Sequence, residues 1–283
     1  MTDKIIALVD GSIYSKSVCE NAAWLAARVD APIEVLHVLG RREAASSDLS
    51  GAIGLGARTE ILEELSAVDE ARAKLMQRRG RAIVDDAEKA IRAAGITAVT
   101  ARLRTGDLLE AVAEAETGSG MTVIGKRGEA ADFAQMHLGS NLERIARSSR
   151  WPVYVAARAF RPVAKVLFAY DGGPSAMKAV DHAARSPLFA SLEIRLLTVG
   201  SENVEARRRL DGAQAILRAG GLESRADILP GQPDAVIAET VERDGIDLLV
   251  MGAYGHSRIR SLIIGSTTTE MIRACRVPVL LFR

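Results

Sequence analysis

The sequence predicts an α/β protein made of two tandem copies of one domain, each a parallel sheet with helices on both faces. Three observations predict it. Short apolar strands alternate with amphipathic helical stretches along the chain, and the same order of elements occurs twice. Aromatic residues are 4% of the chain, so the cores must be built from Val, Ile, Leu and Ala, as in parallel sheets covered by helices. A length of 283 residues suits two domains, each able to bury its own core.

The strands are taken in order. In the first half, Lys4–Val9, Ile33–Val38, Val99–Arg104 and Met121–Ile124 are short apolar or β-branched runs, and Val153–Ala156 closes the half. The second half has Lys165–Tyr170, Ile194–Val199, Arg225–Leu229, Leu248–Met251 and Val277–Phe282. A helix is predicted over Ser15–Val29, where Val18, Ala22, Leu25 and Val29 form one stripe. Gly106 and Gly231 follow the third strand of each half, where a tight turn must precede the next helix.

The repeat can be checked by offsets. Asp10-Gly11 matches Asp171-Gly172 at an offset of 161, and Val35-Leu36-His37-Val38 keeps that offset against Leu196-Leu197-Thr198-Val199. Gly139-Ser140 matches Gly265-Ser266, and Pro152-Val153 matches Pro278-Val279, both at 126. The halves are colinear, and the second lacks about 35 residues between its second strand and the following helix. In the first half that extra stretch is residues 40–75, opening rich in Ser, Gly and Ala and continuing as a charged helical run. The domains are set at 1–157 and 163–283. Their seam, 157–162, is too short to let them separate far.

Composition excludes several classes. Lys+Arg 37 against Asp+Glu 36 gives a net charge of +1, so no basic field for sequence-independent nucleic-acid binding exists. Cys19 and Cys275 fall at non-equivalent positions and suggest no disulfide framework, which points to a reducing cytoplasm. No apolar run is long enough for a signal peptide core or a membrane span. His37, His137, His182 and His256 form no short-spaced ligand set, so no metal site is expected. Neither a nucleophile–base pair nor a Gly-Lys-Thr phosphate loop is present, and no catalytic residues are assigned.

The motif that carries chemistry follows the strand Leu248–Met251. Gly252-Ala253-Tyr254-Gly255 is followed by nine residues and then Gly265-Ser266-Thr267-Thr268, which opens a helix expected to run through Met271, Ile272 and Cys275. Glycines let backbone N–H groups turn toward a phosphate without a Cβ in the way, and the helix N-terminus adds unpaired donors. Thr267-x-x-Glu270 is also a capping-box pattern, so ordinary turn and cap chemistry is an open alternative.

Gly252-x2-Gly255-x9-Gly265-Ser266, after a strand ending in Asp171 and before Val277-Pro278-Val279, is similar to the ATP-binding pattern of the universal stress protein family. The resemblance covers essentially the whole chain, twice. It implies two tandem Rossmann-like domains of the adenine nucleotide alpha-hydrolase-like kind, each a five-stranded parallel sheet flanked by helices. It also implies a cytoplasmic stress-response protein with ATP or ADP as ligand, with or without Mg. By resemblance, Ala169, Tyr170 and Asp171 end the first strand, and Asp171 matches the family's first-strand Asp. Val199 matches the second-strand Val whose backbone meets adenine. Met251, Gly252, Gly255, Gly265, Ser266, Thr267 and Thr268 supply the phosphate loop. A buried Asp171 accepting ribose or amine hydrogens is one reading; a cap on the following helix is the other.

The first half departs from the pattern. Gly125-Lys126-Arg127-Gly128 is followed by ten residues instead of nine before Gly139-Ser140-Asn141, although Asp10 and Val38 remain. Lys126 and Arg127 either compensate electrostatically or are simply solvated. Gly173 and Pro174 stand in the second half where the first has Ser12, a loss of one hydroxyl. The resemblance further implies pairing through the terminal strand, satisfied here inside one chain as a pseudo-dimer, with a homodimer left open. Three functions remain: a regulatory ATP/ADP-binding module, a nucleotide-free interaction protein, and a slow ATPase.

Overall fold

The computed structural model describes residues 3–40, 55–128, 140–253 and 266–283. Its first half runs β1 (Lys4–Leu8), α1 (Ser15–Val29), β2 (Ile33–Gly40), α2 (Leu55–Ala93), β3 (Val99–Gly106), α3 (Leu108–Ala115), β4 (Ser119–Gly125), α4 (Ser140–Ser148) and β5 (Val153–Ala156). The second repeats the series as β6 (Lys165–Ala169), α5 (Pro174–Arg185), β7 (Glu193–Val199), α6 (Val204–Ala219), β8 (Ser224–Leu229), α7 (Pro233–Arg243), β9 (Leu248–Gly252), α8 (Ser266–Ala274) and β10 (Val279–Phe282).

All the strands read from the sequence are present. Helix α1 has the expected bounds, with Val18, Ala22 and Leu25 buried and Val29 packed at the margin. Several strand ends differ from the sequence reading by one or two residues. The first closing strand begins at Val153 as read, and the second begins at Val279 rather than Val277, because Pro278 has no N–H to give a neighbouring strand. The proline carbonyls still accept, from Thr122 N at 3.0 Å and Leu249 N at 3.1 Å. Helix α8 ends at Ala274 rather than running through Cys275, whose N–H donates the last helical bond to Met271 O at 2.9 Å.

Within each half the strands are parallel and ordered 3-2-1-4-5, and the halves join edge to edge. The order is β3-β2-β1-β4-β5-β10-β9-β6-β7-β8, a ten-stranded sheet among the described residues. The seam is the antiparallel pair β5–β10, with Val279 opposite Val155 and Leu280 opposite Tyr154. Each terminal strand is very short and buried, and pairing removes the edge it would otherwise expose. An antiparallel pair of equivalent strands relates the halves by a pseudo-twofold.

Two apolar layers sandwich the sheet. One holds Ile5, Ala7, Val166 and Phe168 under α1, α2, α5 and α6; the other holds Ile6, Leu8, Leu167, Leu249 and Met251 with residues of α3, α4, α7 and α8. Tyr154, fully buried on the seam strand, donates from its hydroxyl to Asn21 Oδ1 at 2.8 Å, and Asn21 Nδ2 donates to Ser17 O at 2.7 Å. Burial pushes the Tyr154 hydroxyl's pKa far up, so it remains a donor.

The extra length of the first half is largely one helix. Helix α2 has 39 residues against 16 for α6, its counterpart. Residues 41–54 of the predicted insertion lie outside the described residues.

Candidate functional site

In a 3-2-1-4-5 sheet, the chain leaves the first strand toward one side and the fourth toward the other. The crevice beyond the carboxyl ends of β6 and β9, and likewise of β1 and β4, is therefore the switch point where ligands bind such folds. In the second half, Ala169 pairs in register with Met251, so Asp171 and Gly252 emerge side by side.

Helix α5 begins at this point. Its cap is Gly173, with Pro174 in the first turn, whose missing N–H is one the helix start cannot use. Gly172 takes φ +74°, a left-handed turn open to glycine. Asp171 Oδ1 accepts from Gly173 N at 2.8 Å, closing a small turn before the helix. Asp171 thus does not cap α5, and it is exposed rather than buried, a correction to both readings made from sequence. The strand ends one residue too early to draw the carboxylate into the core.

Gly252 makes the closest approach. A Cβ on it would stand 2.9 Å from Ser175 Cβ and 3.2 Å from Ala176 N, so β9 runs directly against the first turn of α5. Ala169, Val199 and Met251 share the sheet face covered by α7 and α8, with Met251 buried and the other two half-buried at their strand ends. Tyr170 does not join them. Alternation sends its side chain to the opposite face beside Phe168, where it is 3% exposed and its hydroxyl has no hydrogen-bond partner among the described residues. Its backbone is committed too: the amide donates to Leu197 O at 2.8 Å and the carbonyl accepts from Thr198 Oγ1 at 2.8 Å. Burial foremost, and the neighbouring Asp171 carboxylate next, push the Tyr170 pKa up.

Helix α8 starts at Ser266, so Ser266 and Thr267 occupy its first turn. Thr268 is buried, and its hydroxyl donates toward Gly252 O at 3.3 Å and Ala253 O at 3.4 Å, tying α8 to the end of β9. Gly255 and Gly265, with His256, lie outside the described residues.

The first half uses the same edge differently. Asp10 Oδ1 accepts from Ser12 N at 3.0 Å and from Ser15 Oγ at 3.4 Å, and a Cβ on Gly128 would lie 2.9 Å from Oδ2. Ser12 Oγ accepts from Tyr14 N, so the hydroxyl absent from the second half serves the turn. Ile83 of α2 covers Gly11, where a Cβ would be 2.7 Å from Ile83 Cδ1; in the second half Arg209 of α6 covers Gly172. Gly125 presses on Tyr14 as Gly252 does on Ser175, with a Cβ 2.7 Å from Tyr14 Cβ. Val38 sits half-buried at the end of β2, and Asn141 is exposed in the first turn of α4, which Ser140 opens. Gly139 lies outside the described residues. Lys126 neither lines a phosphate loop nor extends into solvent: it is drawn inward and donates across the seam to Cys275 O. Burial pulls its pKa down to about 8. Asp107, at the cap of α3 on this edge, is held below its usual pKa by the Arg144 guanidinium, 2.9 Å away, and by the amides of Leu109 and Glu110.

The clamp on the first strand was missed in the sequence. His37 Nδ1 lies 2.7 Å from Val9 O in the first half, the place Thr198 takes on Tyr170 O in the second. The signal was available: the offset of 161 pairs His37 with Thr198, polar residues inside otherwise apolar strands.

The model of the universal stress protein family matches residues 1–157 and 200–283, more than half the chain. The chain belongs to the universal stress protein family. Universal stress protein Slr1230 of Synechocystis sp. is 39% identical over 284 residues, covering 99% of this chain and 99% of its own. A universal stress protein of Thermus aquaticus is 31% identical over 140 residues, 42% of this chain and 97% of its own. Among solved structures, a universal stress protein from Archaeoglobus fulgidus superposes with a TM-score of 0.70 at 24% identity, over 100% of this chain and 99% of that one, which bears out the tandem Rossmann-like fold. Among the described residues no helix is long and apolar enough to cross a membrane, and no group of His, Cys, Asp or Glu is placed to hold a metal ion.

Proposed function

We propose that this universal stress protein is a cytoplasmic regulatory module that binds an adenine nucleotide, ATP or ADP, free or as its Mg complex, in its second domain, residues 163–283. The observation that carries the reading is the approach of Gly252 to the first turn of α5. No side chain fits there, and the approach leaves the crevice beside the exposed Asp171 to the backbone. A glycine loop ending at the start of α8 would then set its amides and the positive end of that helix against the phosphates. Ala169, Val199 and Met251 form an apolar wall on which a base can lie. Asp171 supplies the acceptor for ribose hydroxyls, whereas Tyr170, with its ring on the opposite face and its backbone groups bonded to β7, makes no contact there.

A second reading applies to the first domain, residues 1–157, which we assign a structural role without nucleotide. Its carboxylate accepts from the Ser15 hydroxyl where the second half has Ala176, the apolar Ile83 rather than Arg209 covers its turn, and Lys126 is turned toward the other domain. Titration calorimetry of the whole chain with ATP and ADP tests both readings together. One nucleotide per chain is expected, with at least about tenfold weaker binding for Asp171→Asn, whose amide oxygen still accepts from Gly173 N. Two nucleotides per chain would overturn the assignment of the first domain, and none would overturn the nucleotide reading. Phosphate release no faster than that of Asp171→Asn is expected from a regulatory module; faster release would make the protein an ATPase.

A further inference from the structure

Helix α2 is far longer than the sheet it covers. At 1.5 Å per residue its 39 residues span about 58 Å. It meets the body at Gly80, where a Cβ would strike Leu103 Cδ1 at 2.7 Å, and from there Val84, Ala87 and Ile91 are buried. Before Gly80 the helix leaves the domain: from residue 64 to residue 79 no side chain is buried. A helix running antiparallel to the strands must, at its N-terminal end, project beyond their carboxyl edge.

This projecting segment is not polar all round. Leu65, Val68, Leu75 and Met76 fall within one stripe about 100° wide, which Arg72 and Arg79 also enter, and Val68 and Leu75 are 63% and 59% exposed. A helix without a surface to cover is marginal in water, because most helical stability comes from packing an apolar face. Charge along the segment is divided in two. In sequence, Glu60, Glu63, Glu64, Asp69 and Glu70 are followed by Arg72, Lys74, Arg78, Arg79 and Arg81, with no base in residues 60–70 and no acid in 71–81.

We propose that this segment of α2 pairs antiparallel with the same segment of a second copy of the chain. Antiparallel is the one arrangement in which each acidic block lies along the other copy's basic block; a parallel pair sets acid on acid and base on base. A register that opposes Leu65 to Leu75 of the second copy also brings Glu64 alongside Arg78 of the second copy, and places Ala71 near the twofold, where small side chains let the helices approach. The interface is isologous and closes as a dimer. It lies away from the β5–β10 seam, so it joins whole chains without disturbing the fusion of the halves.

Sedimentation of the full chain at ~50 μM in low salt tests this. A dimer is expected, dissociating as salt rises. Val68→Glu combined with Leu75→Glu should weaken it at least ~100-fold while the two domains stay folded, since both side chains are exposed. Glu64→Arg and Arg78→Glu should each weaken it, and the two together should restore it, because the swap preserves opposition only across an antiparallel pair. Ala71→Cys should cross-link copies on oxidation; the native Cys19 and Cys275 are buried and do not compete. A monomeric wild type, a dimer indifferent to the double glutamate variant, or a charge swap that fails to restore association would each overturn the proposal.

Discussion

Gly125 and Gly252 offer one steric perturbation applied at two equivalent places. Neither has a positive φ, so alanine strains no backbone at either position; the cost is contact alone. At Gly252 the new methyl would lie 2.9 Å from Ser175 Cβ, and at Gly125 2.7 Å from Tyr14 Cβ, each closer by half an ångström or more than carbon atoms tolerate. The fourth strand must back away from the first turn of the helix, an overpacking cost of about 1–3 kcal/mol in either half. Urea unfolding of Gly125→Ala and Gly252→Ala should therefore show similar losses of stability. Calorimetry should separate them. Gly252→Ala moves the amides of the second domain's crevice and should weaken ATP at least tenfold, about 1.4 kcal/mol, whereas Gly125→Ala should bind as the wild type does. Equal losses of affinity in both variants would refute the assignment of the site to the second domain. Wild-type binding by a Gly252→Ala protein that had lost stability would refute the role given to that close approach.

Two further outcomes concern the seam. Tyr154→Phe keeps the ring but leaves the buried Asn21 Oδ1 without its donor, and should cost about 1–3 kcal/mol by denaturant unfolding; a neutral result would mean that Asn21 re-pairs. Lys126 has its pKa depressed by burial to about 8, against 10.5 when unfolded. Below pH 8 both states hold the proton and the folded state bears the buried charge. Between 8 and 10.5 the unfolded chain holds a proton the folded one has released, so stability rises with pH across that window. Relative to Lys126→Met, the wild type should gain up to about 3 kcal/mol from pH 7.5 to 10; a flat or falling difference would refute it.

Strands and repeat were legible because both are written in local pattern. Apolar runs of a few residues and equal offsets need no knowledge of packing, and even the seam is announced by Pro152-Val153 and Pro278-Val279. The glycine at 252 stood out in the sequence as a phosphate-loop residue; the structure adds a packing reason the sequence did not show, the contact of β9 with the first turn of α5. What the sequence hid depends on which face a residue takes and where a strand stops. Tyr170 sits one position from Asp171 yet points to the other side of the sheet, and Asp171 falls just past the last ladder pair and so stays in solvent. Lys126 read as either a compensating phosphate-loop charge or a solvated one, and neither foresaw that the antiparallel seam brings Cys275 of the other half within its reach.

The two halves show how one architecture can be divided between tasks. The crevice of the first domain differs in three side chains: an isoleucine from α2 where the second has an arginine from α6, the Ser15 hydroxyl on its carboxylate where the second has Ala176, and a lysine given to the seam. The same α2 that closes this crevice runs on past the carboxyl edge with an apolar stripe and a divided charge. On the readings proposed above, the first domain is the one that reaches for another molecule and the second the one that holds nucleotide. Nucleotide in the second domain can reach the first through the β5–β10 pair and through side-chain bonds between the halves, such as Lys126 to Cys275 O and Arg28 to Leu188 O. Coupling between ATP binding and association over that distance should be weak, which mass measurements with and without ATP would decide.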